Sequence, residues 1–249
     1  MKIAILGYGI EGKMLEELYL RSPFGQPLIK DGDRNDYETC KKLDILNVCI
    51  PYSEDFIYIV SQEILKYCCD LTIIHSIVPP YTTKTIRKKA RQYKHVVHSP
   101  IRFCRKDLSR SLTIFVKYIG AENMTDAKMT REHFRMIGMF KNTIMNPAFL
   151  TELNSILSIV YYGHNIVFAD YLQEVFENFK GIGKPSFEPF IHFNESYNRA
   201  YRRFRMKYLN RPTLVPPENK KIGNNILPYT KLLHNMFPHE ITKRILTYE

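Results

Sequence analysis

The glycine triplet Gly7-x-Gly9-x-x-Gly12 restricts this chain more than any other feature of its sequence. It follows a short apolar run, Ile3 to Leu6, and opens a stretch in which Ile10, Met14, Leu15, Leu18 and Tyr19 share one face. That spacing predicts a strand, a tight turn and a helix reaching about Arg21. In this context each glycine has a task. The first permits the turn, the second lets the backbone approach a pyrophosphate, and the third lets helix and strand pack closely. The helix N-terminus favours the phosphate charge. Tyr8, Ile10 and Glu11 complete the turn, so residues 7 to 12 form a candidate dinucleotide site.

Asp31 lies 19 residues beyond Gly12, at the end of a second short strand, Pro27 to Lys30. An acid there hydrogen-bonds the adenine-side ribose and disfavours a 2′-phosphate, which points to NAD rather than NADP. Lys30 and Arg34 flank it and soften that preference. Glu11 is discordant: an acid suits the first helical turn but repels a bound pyrophosphate. The alternative is a chain that keeps the shape and no longer binds a dinucleotide.

The rest of the first half continues the alternation. Strands are expected at Leu43 to Ile50, Leu71 to Ile74, His95 to His98 and Leu112 to Ile119, with helices at Asp55 to Tyr67 and Thr82 to Tyr93. Strands separated by helices predict an α/β fold, a doubly wound parallel sheet of the Rossmann type over residues 1–145. Residues 146–249 read as helical. Asn146-Pro147 is a start signal, with Asn as N-cap and Pro at the first helical position. An apolar pattern then runs from Ala148 to about Phe179, ended by Gly181. Within it Ile156 to Ala169 has the composition of a buried core helix. A helix of that length spans about 50 Å and suits a subunit interface, so a homodimer is expected. A region rich in Pro, Asn, Arg and Tyr follows, from Pro185 to Pro228.

Composition removes several classes. Hydrophobic residues make up 45% and charged residues 24%, which excludes a disordered or collagen-like chain. Five cysteines, at 40, 49, 68, 69 and 104, include no CxxC pair, so neither a disulfide framework nor a zinc or other metal pattern is read. A glycine at position 7 comes too early for a signal-peptide core, and no run of about 18 apolar residues offers a membrane span. A cytoplasmic protein with reduced thiols is expected. The net charge of +11 suits phosphorylated ligands or nucleic acid and by itself requires neither.

Several segments, in order, resemble the nucleotide-sugar dehydrogenases of the UDP-glucose and GDP-mannose type, within the 6-phosphogluconate dehydrogenase-like group. Cys49-Ile50-Pro51 is similar to that family's "cVP" strand end. His75-Ser76-Ile77-Val78-Pro79-Pro80-Tyr81-Thr82-Thr83 resembles its "STVPPGTT" segment, and Ser99-Pro100 its "SPE" segment. Thr151-Glu152-Leu153, followed by Asn165-Ile166-Val167-Phe168-Ala169, resembles its central helix. Ile222-Gly223-Asn224-Asn225-Ile226 resembles its "GGHCI" loop. The resemblance covers residues 1 to about 235. It implies a Rossmann domain, a dimerising central helix and no third, sugar-nucleotide-closing domain. It also places Pro51, Tyr52 and Ser76 among the cofactor contacts.

The departures matter as much. Members of that family oxidise an alcohol twice through a cysteine thiohemiacetal, which needs a thiolate. The matching position here is Asn225. The family's lysine, asparagine and aspartate fall at Ser155, Ile159 and Tyr229, and the glutamate of "SPE" at Ile101. Double oxidation is therefore not expected. A single hydride transfer needs one general acid or base at the carboxyl ends of the strands, and His75 and His98 stand there. Glu152 and Asn154 are candidates to orient a small hydroxy or phosphorylated substrate. The opposing reading is a catalytically inactive relative, a pseudoenzyme that acts as a binding or assembly subunit.

Three further features are charged or reactive. Cys104 precedes Arg105-Lys106 in an exposed-looking turn. Arg87-Lys88-Lys89-Ala90-Arg91 reads as a solvated helix face. Arg199, Arg202, Arg203, Arg205, Lys207 and Arg211 interleave with Tyr197, Tyr201, Phe204 and Tyr208. Their helical spacing favours rings packed inward with arginines outside, where Arg202 and Arg203, with Asn225, would meet an anionic substrate. A nucleic-acid surface is the less favoured reading of the same residues.

Overall fold

A computed structural model describes residues 1–93, 95–179, 188–214, 222–223 and 225–248. Gly181, Pro185 and Asn224 lie outside these residues. The chain divides into two compact units, Met1–Ser155 and Ile156–Glu249.

The first unit is built on one sheet. Its strands are β1 (Ile3–Leu6), β2 (Leu28–Asp31), β3 (Arg34–Asn35), β4 (Ile45–Val48), β5 (Leu71–Ile74), β6 (Val96–His98), β7 (Lys117–Gly120) and β8 (Asn142–Met145). Among the described residues they lie in the order β3-β2-β1-β4-β5-β6-β7-β8. Strands β2, β1, β4, β5 and β6 are parallel neighbours. At the edges β3 pairs antiparallel with β2, and β7 antiparallel with β6, while β8 runs parallel to β7. The sheet is thus parallel-dominant but mixed, where the alternation of elements predicted a parallel one.

Helices cover both faces, because the central strands are apolar on both sides. Helix α1 (Ile10–Leu20) buries Met14, Leu15 and Tyr19 on the face made by Ile3, Ile5, Ile29 and Ile73. Helix α5 (Met124–Met136) adds Ala127 and Phe134 there. The opposite face, with Ala4, Leu6, Leu46, Val48 and Ile74, takes α2 (Phe56–Lys66) and α3 (Thr82–Lys89).

Three expectations are corrected in this unit. The strand expected over Leu112 to Ile119 is half helix: α4 (Leu108–Ile114) precedes β7. Asp107 caps α4 by accepting the Arg110 N–H at 3.2 Å, and a short apolar run cannot by itself distinguish helix from strand. The long helix, α6 (Phe149–Asn178), begins two residues after Pro147, and the Asn146–Pro147 bond is cis. Asn146 is therefore not its N-cap. Finally, Arg87 does not belong to a solvated face. It pairs with buried Asp126, which also accepts from His95 at 2.7 Å, while Lys88, Lys89 and Arg91 are exposed.

Helix α6 starts in the first unit and continues through the second. Among its residues from 156 to 169, Ile156, Val160, Val167 and Ala169 are buried, but Leu157, Tyr161, Tyr162 and Phe168 are exposed. The stretch is one-sided, not a fully buried core helix. The second unit also holds α7 (Glu188–Arg203), α8 (Leu227–Met236) and α9 (Glu240–Leu246). The inward-packed ring row expected along α7 is not found: Phe204 is 73% exposed and Tyr208 77%. The buried side of α7 centres instead on Asn198, whose amide both donates to and accepts from the Arg211 backbone, at 2.8 and 2.7 Å. Among the described residues no helix is long and apolar enough to cross a membrane.

Candidate functional site

The turn between β1 and α1 is held from three sides. Gly7 donates its N–H to the Lys30 carbonyl of β2 at 2.8 Å, and Cys49 donates to Leu6 at 2.7 Å. Gly7 has φ +95°, and a Cβ there would stand 2.7 Å from the Cys49–Ile50 backbone. Only glycine meets both conditions. At Gly12 a Cβ would come within 2.3 Å of the Gly7 carbonyl oxygen, so the first turn of α1 packs directly on the loop.

Gly9 is different. A Cβ there would meet nothing within 4 Å. Gly9 is also the N-cap of α1, and among the described residues no side chain caps that helix. The first N–H groups of the helix therefore lack a capping side chain and border open space. Ile10 is exposed beside them, and Glu11 is half-buried in the same turn. Asp31 sits at the end of β2, exposed, and its Oδ1 accepts the Tyr8 N–H at 3.1 Å. The Tyr8 side chain turns along α1: its hydroxyl donates to the Glu16 carboxylate, and the Arg34 guanidinium lies 5.6 Å from its ring. The hydrogen bond to Glu16 raises the Tyr8 phenol above its ordinary pKa.

The cations flanking Asp31 are both engaged. Lys30 is paired with Glu63 and Arg34 with Asp36. Their acids keep them from standing free beside the strand end. At the next strand ends, Pro51 is exposed after β4, and Tyr52 packs its ring 5.6 Å from that of Phe56. Ser76 ties the loop after β5 to the one after β4, donating to the Ile50 carbonyl at 2.6 Å.

His75 and His98 are both buried, at 1% and 0% exposure. His75 Nε2 donates to Asn47 Oδ1 at 3.0 Å, since the Asn47 amide nitrogen is committed to the Ala4 carbonyl and the Tyr19 hydroxyl. Its Nδ1 lies 2.9 Å from the Ser99 carbonyl and 3.1 Å from Lys117 Nζ. His98 donates from Nε2 to the Ser76 carbonyl at 3.0 Å and accepts the Thr151 hydroxyl at Nδ1, 2.7 Å away. Neither ring keeps a nitrogen for solvent. Burial, reinforced by Lys117, holds the His75 pKa well below its ordinary value, and burial lowers that of His98 to about 3. Both rings are neutral near pH 7.

Lys117 was not among the sequence candidates. Because β7 runs against β6, its first residue lies at the carboxyl ends of the parallel strands. Lys117 is 4% exposed, donates to the Ser99 carbonyl and touches His75. Burial pushes its pKa far down. The signal available was period-2 alternation, which puts Lys117 and Ile119 on the same inward face.

Glu152 and Asn154 lie on the first turns of α6. The Glu152 carboxylate is buried and accepts three donors: Thr83 N–H at 2.7 Å, Thr83 hydroxyl at 2.6 Å and Tyr81 N–H at 2.6 Å. It thereby caps α3. Burial raises its pKa against the pull of those bonds. Asn154 is exposed and donates back to the Leu150 carbonyl at 2.7 Å. Arg202, Arg203 and Asn225 belong to the second unit, and all three are exposed. Cys104 is exposed; Cys49 and Cys69 are buried. Among the described residues no group of three His, Cys, Asp or Glu side chains could hold a metal ion.

No protein-family model and no curated protein matches this sequence. Solved structures do match its fold. A UDP-D-ManNAc dehydrogenase from Pyrococcus horikoshii superposes with a TM-score of 0.69 at 16% identity, over 98% of this chain and 68% of that one. An NDP-N-acetyl-D-galactosaminuronic acid dehydrogenase from Methanosarcina mazei gives 0.66 at 13% identity, over 99% and 65%. A 3-hydroxyisobutyrate dehydrogenase from Mycobacterium tuberculosis gives 0.68 at 12% identity, over 98% and 91%. The chain spans about two thirds of the length of the two sugar-nucleotide enzymes. At these identities the likeness shows a fold of the dehydrogenase type, and the resemblance read from the sequence is met at that level.

Proposed function

We propose that this chain binds NAD(H) across the Gly7–Gly12 turn and the Asp31 strand end. On this reading it is an oxidoreductase-type protein limited to one hydride transfer on a hydroxy or phosphorylated small molecule. The observation that carries the proposal is the open space over Gly9 at an uncapped helix N-terminus. That is where backbone N–H groups would hold a pyrophosphate. Asp31 Oδ1 is held by Tyr8, and its second oxygen would face the ribose hydroxyls. Lys30 and Arg34, each paired with an acid, would give a 2′-phosphate little help. Glu11 would weaken the pyrophosphate interaction without blocking the turn. When bound, NAD supplies the hydride acceptor.

The competing reading is a binding or assembly subunit without turnover. One observation favours it: the ring nitrogens of His75 and His98 and the carboxylate of Glu152 are all bonded inside the core. On either reading α6 supports a homodimer. Leu157, Tyr161, Phe168 and Tyr171 are exposed along it at coiled-coil spacing, with His164 between them. Light scattering that finds a monomer at high concentration would refute the dimer.

A thermal-shift titration with NAD+, NADH, NADP+ and NADPH tests the main proposal. A ligand at 100 times its Kd adds about 2.7 kcal/mol, worth roughly 5–10 °C at this size. A shift with NAD(H) and a smaller one with NADP(H) is expected. No shift with any of the four would refute the proposal. Turnover of an alcohol by the purified chain with NAD+ would refute the inactive reading.

A further inference from the structure

Residues 196–214 contain six cations and no acid. They cover the last turns of α7, the turn after it and the 3-10 segment Lys207–Leu209. Arg199, Arg202, Arg203, Arg205 and Lys207 are exposed and form no ion pair among the described residues. In the first unit, by contrast, Arg34, Arg87 and Arg110 each hold an acid. Beside these cations stand exposed rings: Phe193 at 63%, Phe204 at 73% and Tyr208 at 77%. Tyr197 is partly exposed and already carries a guanidinium, that of Arg211, 3.7 Å from its centroid.

The two sets form adjacent rows. Arg199 and Arg203 follow one line along α7, four residues apart, with half-buried Glu195 one turn before them. Phe193, Tyr197 and Phe204 follow the neighbouring line, and the Phe204 N–H still bonds the Ala200 carbonyl at 3.1 Å. Arg205 then takes φ +59° and ends the helical path. We propose that this row of cations beside a row of exposed rings is a binding surface for single-stranded nucleic acid. Guanidinium groups would hold phosphates while bases stack on the rings. Phe193 and Tyr197, four residues apart, have ring centroids 5.7 Å apart, and Phe204 follows seven residues on, about 10 Å along the helical path; a duplex strand rises about 3.4 Å per nucleotide. That spacing suits an extended single strand.

The helix dipole accounts for less of the pattern. It favours cations in the last turn, Arg202 and Arg203, but leaves Arg199 and the rings unexplained. A second copy of this chain would need an acidic patch to meet the face, and the strip proposed for the dimer, Leu157, Tyr161, Phe168 and Tyr171, carries no acid. A helix lying in a lipid surface sinks a broad apolar stripe; here the stripe is narrow, and one of its rings lies under Arg211. The surface belongs wholly to the second unit and does not depend on dinucleotide binding by the first.

The test is fluorescence anisotropy of the full chain with labelled oligo(dT) and oligo(U) of about ten nucleotides, across a salt series. Binding that weakens steeply with salt is expected. Arg202→Ala with Arg203→Ala should reduce the slope of log affinity against log salt by about 1.4. Phe204→Ala with Tyr208→Ala should weaken binding at least fivefold and leave that slope unchanged. These side chains are exposed, so thermal unfolding of each variant should match the parent. Heparin, a polyanion without bases, should be insensitive to the ring variant. The proposal is overturned if neither oligonucleotide binds at low salt. It is equally overturned if duplex binds as tightly as single strand, if the ring variant binds normally, or if the protein binds only anionic vesicles.

Discussion

Asp31 closes the glycine turn on its partner strand: its Oδ1 accepts the N–H of Tyr8 at 3.1 Å. The carboxylate has a structural task even without a nucleotide, which is to hold the turn against β2; contact with a ribose is the task proposed for it. Its two tasks separate in mutants. Asp31→Asn keeps an acceptor for Tyr8 and loses the charge that favours ribose hydroxyls over a 2′-phosphate. We expect this variant to retain the parent melting temperature, to bind NADH about tenfold more weakly (~1.4 kcal/mol), and to narrow the preference over NADPH. Titration of cofactor fluorescence checks this. Unchanged affinity for both would remove Asp31 from the site.

Gly12 and Gly9 should behave oppositely. A Cβ at Gly12 meets the Gly7 carbonyl oxygen at 2.3 Å, which side-chain rotation cannot relieve. Gly12→Ala should cost about 1–3 kcal/mol of stability, as overpacking does. At roughly 2–4 °C per kcal/mol, the melting temperature falls visibly. Gly9→Ala adds a methyl to open space. It should leave stability nearly unchanged and weaken NADH binding by obstructing the approach of the pyrophosphate. Scanning calorimetry with and without cofactor reads both effects.

The sequence carried the glycine turn and its partner strand because local chemistry decides both. Gly7 needs a left-handed φ, and Asp31 terminates a strand of period-2 pattern. It carried α6 for the same reason, through a long apolar periodicity. It did not carry α4, because Leu112 to Ile114 suits a helix or a strand equally and the Asp107 cap is a single hydrogen bond. Nor could it show that His75, His98 and Glu152 face inward. Their partners, Asn47, Thr151 and Thr83, are distant in sequence, and only the packed sheet brings them together. Lys117 was hidden because a buried amine without a carboxylate is rare enough to outweigh the period-2 pattern that points it inward.

Glu152 should prove to be an anchor for α3. Its three donors include the N–H groups of Tyr81 and Thr83 at the start of that helix, and the N-cap, Tyr81, offers no side-chain cap of its own. Glu152→Ala would leave those buried donors unpaired, at about 1–3 kcal/mol for each group left unsatisfied. Glu152→Gln keeps one oxygen and should cost less. Urea unfolding should rank the proteins parent, Gln, Ala. If the alanine variant were as stable as the parent but failed in catalysis, Glu152 would act on substrate instead.

The buried bases set the acid limit of the first unit. His98 falls to about 3 and His133 to about 4, both through burial, and His75 is also well below its ordinary range. In the unfolded chain each titrates near 6.5. Between about pH 4 and 6.5 the unfolded state binds protons at His98 and His133 and the native state does not, and His75 acts in the same direction below its ordinary value. Stability therefore rises with pH across that window and is lost as pH falls, by about 1.4 kcal/mol per pH unit for each group. Lys117 follows the same sign in a higher window, below its unfolded value near 10.4. Burial is its main cause, with Cys49, Arg102 and Glu11 acting on the same amine. Urea midpoints from pH 4 to 8 measure the slope. His133 isolates one group: Nε2 meets the Tyr19 hydroxyl at 2.7 Å, and Nδ1 is buried without a partner among the described residues. His133→Phe removes one titrating site and costs Tyr19 an acceptor at every pH. Its slope between pH 4 and 6.5 should fall by one proton, whatever happens to its absolute stability. An unchanged slope would mean that His133 is already protonated in the native protein.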